Sequence, residues 1–218
     1  MRIRTFEEYK IAYNSSVDNP EAFWSGIADA FKWQQKWERV LEWNFNDPLV
    51  KWFINGKLNI TENCIDRHLT TKSNDLAFIW EPNEPGDKVR RITYRELSEE
   101  VNRLANVLKD FGVKKGDRVC VYLPMVPEAV YAMLACARIG AVHSVVFGGF
   151  SAQAIQDRIN DSVCKVVLTS DGAYRGNKQI AMKATVDEAL KNCPSVNRVL
   201  VYQRTGQVVN MRDGRDFN

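Results

Sequence analysis

Arg175 and Lys178 are two cations three residues apart, separated by Gly176-Asn177. Arginine offers a planar fork of donors and lysine a compact charge, so a loop that folds them together can hold one anion. Earlier in the chain, Gly148-Gly149 presents backbone with no side chain to keep a ligand away. The same residues also fit a plain tight turn and a solvated basic loop. Neither motif supplies a nucleophile or an acid–base pair, so the chemistry they suggest is binding, and no catalytic residue is assigned. His68 and His143 each stand alone, without a second ligand nearby, and read as structural. Cys64, Cys120, Cys136, Cys164 and Cys193 are odd in number and lack metal-ligand spacing, so no metal site is assigned. Without a disulfide framework or an export signal, they predict a reducing, cytoplasmic setting.

The elements that must position these residues run from Arg118 to Lys178. Arg118–Leu123, Val142–Phe147 and Cys164–Thr169 are short, apolar and rich in β-branched residues, as strands are. Between them, Pro127 to Ile139 has a proline suited to a first helical position and Gly140 suited to a C-terminal cap. Ser151 can cap a second helix, on which Ala152, Ile155 and Ile159 recur at helical spacing. Alternating apolar strands and helices imply an α/β fold, a mostly parallel sheet with helices on both faces. In such a sheet the loops after the strands share one edge, where ligands bind. The loops at Leu123-Pro-Met, Phe147-Gly-Gly and Ser170 to Lys178 are therefore expected to meet there. Ile180 to Leu190 reads as a further helix and Arg198 to Gln203 as a further strand.

Before this core, residues 5 to 32 read as two short helices parted at Asp18-Asn-Pro. Trp24, Trp33, Trp37, Trp43 and Trp52 follow in dense succession. Their neighbouring bases are few and matched by acids, so burial against a larger body is expected rather than a stacking platform for nucleobases. Lys51 to Asn59 carries an Asn-Gly turn, and Asn63 to Leu69 reads as a short helix with Ile65 and Leu69 inward. Leu76–Trp80 and Val89–Ile92 form a β-hairpin pattern, after which Thr93 and Glu96 make a capping box for a long amphipathic helix. The formal net charge of +3 over 218 residues excludes a general nucleic-acid surface. Met125 to Phe147, the most apolar stretch, contains Glu128, Arg138 and His143, so no membrane span is expected. A dinucleotide oxidoreductase is excluded because the turn at Leu123-Pro-Met-Val-Pro has no glycine.

The motifs in order resemble a known family. I-T-Y-R-E-L at 92 to 97, G-D-R-V at 116 to 119 and Y-L-P-M-V-P-E at 122 to 128 are similar to the N-terminal part of acyl-adenylate-forming enzymes. K-W-F-I-N-G-K-L-N at 51 to 59, N-C-I-D-R-H at 63 to 68, A-R-I-G-A-V-H-S-V-V-F-G-G-F-S at 137 to 151 and S-D-G-A-Y-R-G-N-K at 170 to 178 resemble the AMP-forming acetyl-CoA synthetase branch. Asn55 departs from the pattern, which has a second glycine there. The resemblance implies a lead segment over 1–70 and the truncated first part of an AMP-binding (adenylation) domain over 71–218. It also implies an acetate–CoA ligase that uses ATP, Mg²⁺ and coenzyme A: acetate and ATP give acetyl-AMP and pyrophosphate, and coenzyme A then displaces AMP.

No Ser/Thr/Gly-rich phosphate loop occurs in the sequence, so the chain is expected to be an N-terminal fragment without a complete adenylation site. What the resemblance does assign is an R-x-x-R/K element that grips coenzyme A phosphates, which Arg175, Gly176, Asn177 and Lys178 match. Gly148-Gly149 would line the path of its pantetheine arm. A ligase for propionate or acetoacetate, and a non-catalytic domain on the same scaffold, remain open alternatives.

Overall fold

The computed structural model describes residues 2–83, 86–176 and 178–218, which divide into two compact units, Met1–Cys64 and Ile65–Asn218.

In the first unit, helix α1 (Phe6–Asp18) is capped by Thr5, whose hydroxyl accepts the Glu8 N–H at 3.1 Å. Helix α2 (Pro20–Ala28) begins with its proline at the first turn, as the Asp18-Asn-Pro signal requires. Strands β1 (Arg39–Asn44) and β2 (Leu49–Ile54) form an antiparallel hairpin. Sequence periodicity had not indicated β1; Asp47-Pro48 between the strands was its available turn signal. Trp33 lies 4.9 Å from Trp37 and 5.4 Å from Phe53, centroid to centroid, whereas Trp24, Trp43 and Trp52, expected to be buried, are exposed. Asn55 adopts φ 62°, the left-handed conformation that asparagine tolerates in place of glycine. The helix expected over Asn63–Leu69 is instead a break. Helix α3 (Ile60–Cys64) starts earlier because the Asn59 side chain accepts the Thr61 N–H, and a separate 3₁₀ turn covers Asp66–His68.

In the second unit, the 3₁₀ turn at Asp66–His68 is followed by the expected hairpin, β3 (Leu76–Trp80) and β4 (Arg90–Thr93). The capping box then forms: the Thr93 hydroxyl accepts the Glu96 N–H at 3.2 Å, and the Glu96 carboxylate accepts the Thr93 N–H at 2.8 Å. It starts helix α4 (Tyr94–Asp110), which buries Leu97, Val101, Ala105 and Leu108 at helical spacing. Strand β5 (Arg118–Val121), helix α5 (Pro127–Ile139), strand β6 (Val142–Val145), helix α6 (Ala152–Ser162) and strand β7 (Val166–Ser170) follow as the sequence pattern predicts. Gly140 ends α5 in the left-handed conformation, φ 74°.

The segment from Ser170 to Lys178, expected as a loop, is an antiparallel hairpin of β8 (Ala173–Arg175) and β9 (Lys178–Ile180). Gly176, at φ 53°, makes the reversal. Helix α7 therefore begins only at Met182 and runs to Ala189, not from Ile180. Strand β10 (Arg198–Tyr202) precedes a short parallel strand β11 (Asp216–Phe217), which the polar composition of its surroundings had concealed.

Five strands form one parallel sheet in the order β11-β10-β7-β5-β6. Its side chains alternate between two cores. Val119, Val121, Val166 and Leu168 face the cluster that holds α4 and α5, whereas Cys120, Val167, Val199 and Val201 face the cluster that holds α6 and α7. Cys120 and Cys136 are small apolar core residues, and burial pushes both thiols up to about 12. Strand β6 is the exception to two-sided covering, since Val142, His143 and Val145 are exposed at the sheet edge. On the α7 side, the fully buried Lys183 ammonium donates to Asp187 at 2.7 Å and to the Asn210 carbonyl at 2.9 Å, and pairs with the buried Asp216 at 2.9 Å. Arg215 bridges both carboxylates.

Candidate functional site

Parallel strands send their C-terminal ends to one edge of the sheet, and a cleft of about 670 Å³ lies there. Its walls come from the loops after β5, β6 and β7 and from the β3–β4 hairpin, through Trp80, Met125, Phe147, Gly148, Arg175 and Arg204 among others. Gly148, Gly149, Arg175 and Gly176, singled out from the sequence, thus line one space. Lys178 stands on the neighbouring strand, and Asn177 lies outside the described residues.

Register brings the two candidate cations together. Arg175 and Lys178 are direct cross-strand partners in the β8–β9 hairpin, where Cβ atoms lie about 5 Å apart. Like charges placed opposite each other destabilise a hairpin, and an anion between them removes the conflict. Both are exposed, and neither is ion-paired among the described residues. The pair is therefore free to accept a ligand.

The glycine pair has less to do with turning than its composition suggests. Neither Gly148 nor Gly149 has a positive φ. A methyl group on Gly148 would meet only the Met182 methyl at 3.4 Å and the Leu123 carbonyl at 3.8 Å, which is ordinary contact. Packing within the chain therefore gives no reason for glycine at 148. On Gly149 the added group would press on the Phe147 ring at 2.8 Å. The buried Tyr122 hydroxyl, 3.0 Å from the Gly148 carbonyl and 3.2 Å from that of Phe150, donates to this loop and fixes it from below. Burial pushes its pKa up, so it remains a donor.

Sequence reasoning missed two contributors. Trp80 closes the cleft from the hairpin side, and its indole N–H donates to the Met125 carbonyl at 2.8 Å. Arg204 enters from the turn after β10, with its guanidinium 5.5 Å from the Trp80 ring and 5.2 Å from the Tyr174 ring. The tryptophan within an apolar strand signalled only core, and the arginine belongs to a polar turn far along the chain. Among the described residues no group of three or more His, Cys, Asp or Glu could hold a metal ion. No helix among them is long and apolar enough to cross a membrane.

Residues 65–215 match the family model for AMP-binding enzymes, and residues 9–64 match that for the acetyl-coenzyme A synthetase N-terminus. The chain is 54% identical to an acetyl-coenzyme A synthetase of Halorhodospira halophila, over 97% of this chain and 33% of that protein. It is 50% identical to that of Bdellovibrio bacteriovorus, over 96% of this chain and 33% of the relative. Among solved structures, an acetoacetyl-CoA synthetase from Streptomyces lividans aligns with a TM-score of 0.84 at 29% identity, over 93% of this chain and 31% of that one. The chain spans about a third of the length of the relatives it matches.

Proposed function

We propose, from the premise that the chain belongs to the AMP-binding enzyme family, that it is the leading part of an acetate–CoA ligase. In this reading the whole enzyme activates acetate with ATP, assisted by Mg²⁺, to acetyl-AMP and pyrophosphate. It then transfers the acetyl group to the thiol of coenzyme A and releases acetyl-CoA and AMP. Residues 1–70 act as the lead segment and residues 71–218 as the opening part of the adenylation domain. Acetate is favoured over acetoacetate because the acetyl-coenzyme A synthetases stand at 50–54% identity and the acetoacetyl enzyme at 29%. The buried, free cysteines suit a reducing cytoplasm.

The part of the reaction given to this chain is the grip on coenzyme A. The observation that carries it is the cross-strand pairing of Arg175 with Lys178 on a hairpin whose Arg175 side lines the cleft with Gly148 and Gly149. Coenzyme A bears a 3′-phosphate and a diphosphate, and a thin pantetheine arm. The first parts suit two adjacent cations with Gly176 at the reversal beside them, and the arm suits a wall of bare backbone. Binding of ATP and Mg²⁺ falls largely to the rest of the full-length enzyme in this reading.

The test uses the full-length protein that carries this chain. Arg175→Ala or Lys178→Ala removes a charge-assisted contact of about 1.5–3 kcal/mol, so use of coenzyme A should weaken by roughly one to two orders of magnitude. Acetate-dependent exchange of pyrophosphate into ATP involves no coenzyme A and should stay near wild type. Unchanged coenzyme A kinetics in both variants would remove the assignment. Parallel loss of exchange would place the hairpin in the nucleotide site or in the scaffold instead.

A further inference from the structure

The β8–β9 hairpin has strands of three residues each, too short to hold two like charges opposite each other unaided. Something outside it must fix it. Asp171, between β7 and the hairpin, is 2% exposed, and its carboxylate is encircled by backbone donors. The N–H groups of Gly172, Arg204, Thr205 and Gly206 donate to it at 2.6, 2.8, 3.0 and 2.7 Å. Its own N–H donates to the Tyr202 carbonyl at 3.0 Å, and its carbonyl accepts the Gln207 side-chain amide at 2.7 Å. The turn after β10 is thus wound around this one side chain. Burial pushes the carboxyl up, and the N–H groups of Thr205, Arg204, Gly172 and Gly206 outweigh it and hold it below the ordinary aspartate range. It therefore stays charged at neutral pH, with that charge already satisfied.

Two more contacts lock the same junction. An added methyl group on Gly172 would overlap the Gln207 amide and come within 2.9 Å of the Ile180 carbonyl and the Thr205 hydroxyl, so hairpin and turn meet there without spare room. Beyond it, the Arg204 guanidinium lies against Tyr174, the residue before Arg175, and against Trp80, and it pairs with Asp87 at 3.2 Å. Arg204 so ties the side of β8 to the β3–β4 hairpin.

We infer that Asp171 and Arg204 are positioning residues that hold the β8–β9 hairpin so that Arg175 and Lys178 meet coenzyme A phosphates, Asp171 from outside the cleft lining and Arg204 from its wall. The inference rests on the proposed coenzyme A role of that pair. Asp171 sets the base of the hairpin through the turn after β10, and Arg204 sets its side through Tyr174.

The experiment is a mutant cycle in the full-length protein with coenzyme A as the varied substrate. Asp171→Asn and Arg204→Leu should each lower kcat/KM for coenzyme A by about tenfold, and for Asp171→Asn, whose residue lies outside the cleft lining, acetate-dependent pyrophosphate exchange should stay within about twofold. In an Arg175→Ala/Lys178→Ala background both losses should vanish, because residues that act through the cations have nothing left to position. Arg204→Leu keeps every bond to Asp171, which uses the backbone N–H of residue 204, and it decides alone if Asp171→Asn yields no folded enzyme. Full additivity, or loss of exchange in parallel in Asp171→Asn, overturns the inference. If the double alanine variant weakens coenzyme A use and neither positioning variant does, the inference fails and the functional reading stands. If the double alanine variant itself has no effect, the functional reading fails first.

Discussion

At the scale of single residues, the site divides into what a local pattern reveals and what only tertiary contact creates. Arg175, Gly176 and Lys178 are legible because charge and backbone freedom lie within four consecutive positions. Asp171 is not, because three of its four carboxylate donors come from Arg204, Thr205 and Gly206, more than thirty positions away. No spacing rule connects a carboxylate to backbone N–H groups at that distance. Gly148 makes the division testable. Its φ is not positive and a methyl group there meets only ordinary contacts, so Gly148→Ala should leave the midpoint of urea unfolding unchanged or raise stability by up to about 1 kcal/mol. If Gly148 lines the pantetheine path as proposed, coenzyme A use should nevertheless fall. A variant as stable and as active as wild type would leave the glycine without a ligand role.

Secondary-structure elements were most legible where a chemical signal sits at their ends. Pro127 and Gly140 bound α5, Ser151 caps α6, and Thr93 with Glu96 starts α4. Strands defined mainly by long-range pairing were harder to read. The β8–β9 hairpin contains Gln179 and two cations rather than alternating apolar residues, and β11 is two residues long and held by β10. The segment after Asn59 misled for another reason: the buried Asn63 accepts the Lys32 N–H at 2.7 Å and donates to the Lys32 carbonyl at 3.0 Å, a role no helical periodicity encodes. The capping box allows a quantitative check. Thr93→Ala removes the side-chain acceptor for the Glu96 N–H and should cost about 1 kcal/mol, read as a lower urea midpoint at unchanged slope. No change in midpoint would mean that packing of Leu97, Val101 and Leu108 alone sets the start of the helix.

For the molecule as a whole, acid stability should track the cluster that joins α7 to β11. Burial pushes the Asp216 carboxyl up, but the Arg215 guanidinium, the Arg212 N–H and the Lys183 ammonium overcome it and hold it at about 2. A carboxyl with a folded pKa below its unfolded value stabilises the fold above the unfolded pKa, and this contribution is lost as pH falls through the folded one. The window here runs from the ordinary value of 3.8 down to about 2. Across it Asp216 should account for about 2 kcal/mol of lost stability. Urea titrations at stepped pH should show that loss, and Asp216→Asn should flatten the slope between about pH 4 and pH 2 while lowering stability at neutral pH. An unchanged slope would assign acid unfolding to other carboxylates.

Lys183 has a second consequence, one of chemical time. An amine is acylated only when the reagent can reach it, and this one is fully buried with two carboxylates and a carbonyl around it. The exposed Lys191 meets the reagent at once. In folded protein treated with acetic anhydride, Lys191 should be acetylated within the first sampling interval and Lys183 only as fast as α7 and β11 part. Mass spectrometry of the modified peptides would then follow a single internal clock, whose rate in rising urea gives the free energy of that parting. Early labelling of Lys183 would mean that the two elements separate far more often than the buried ion pairs between them imply.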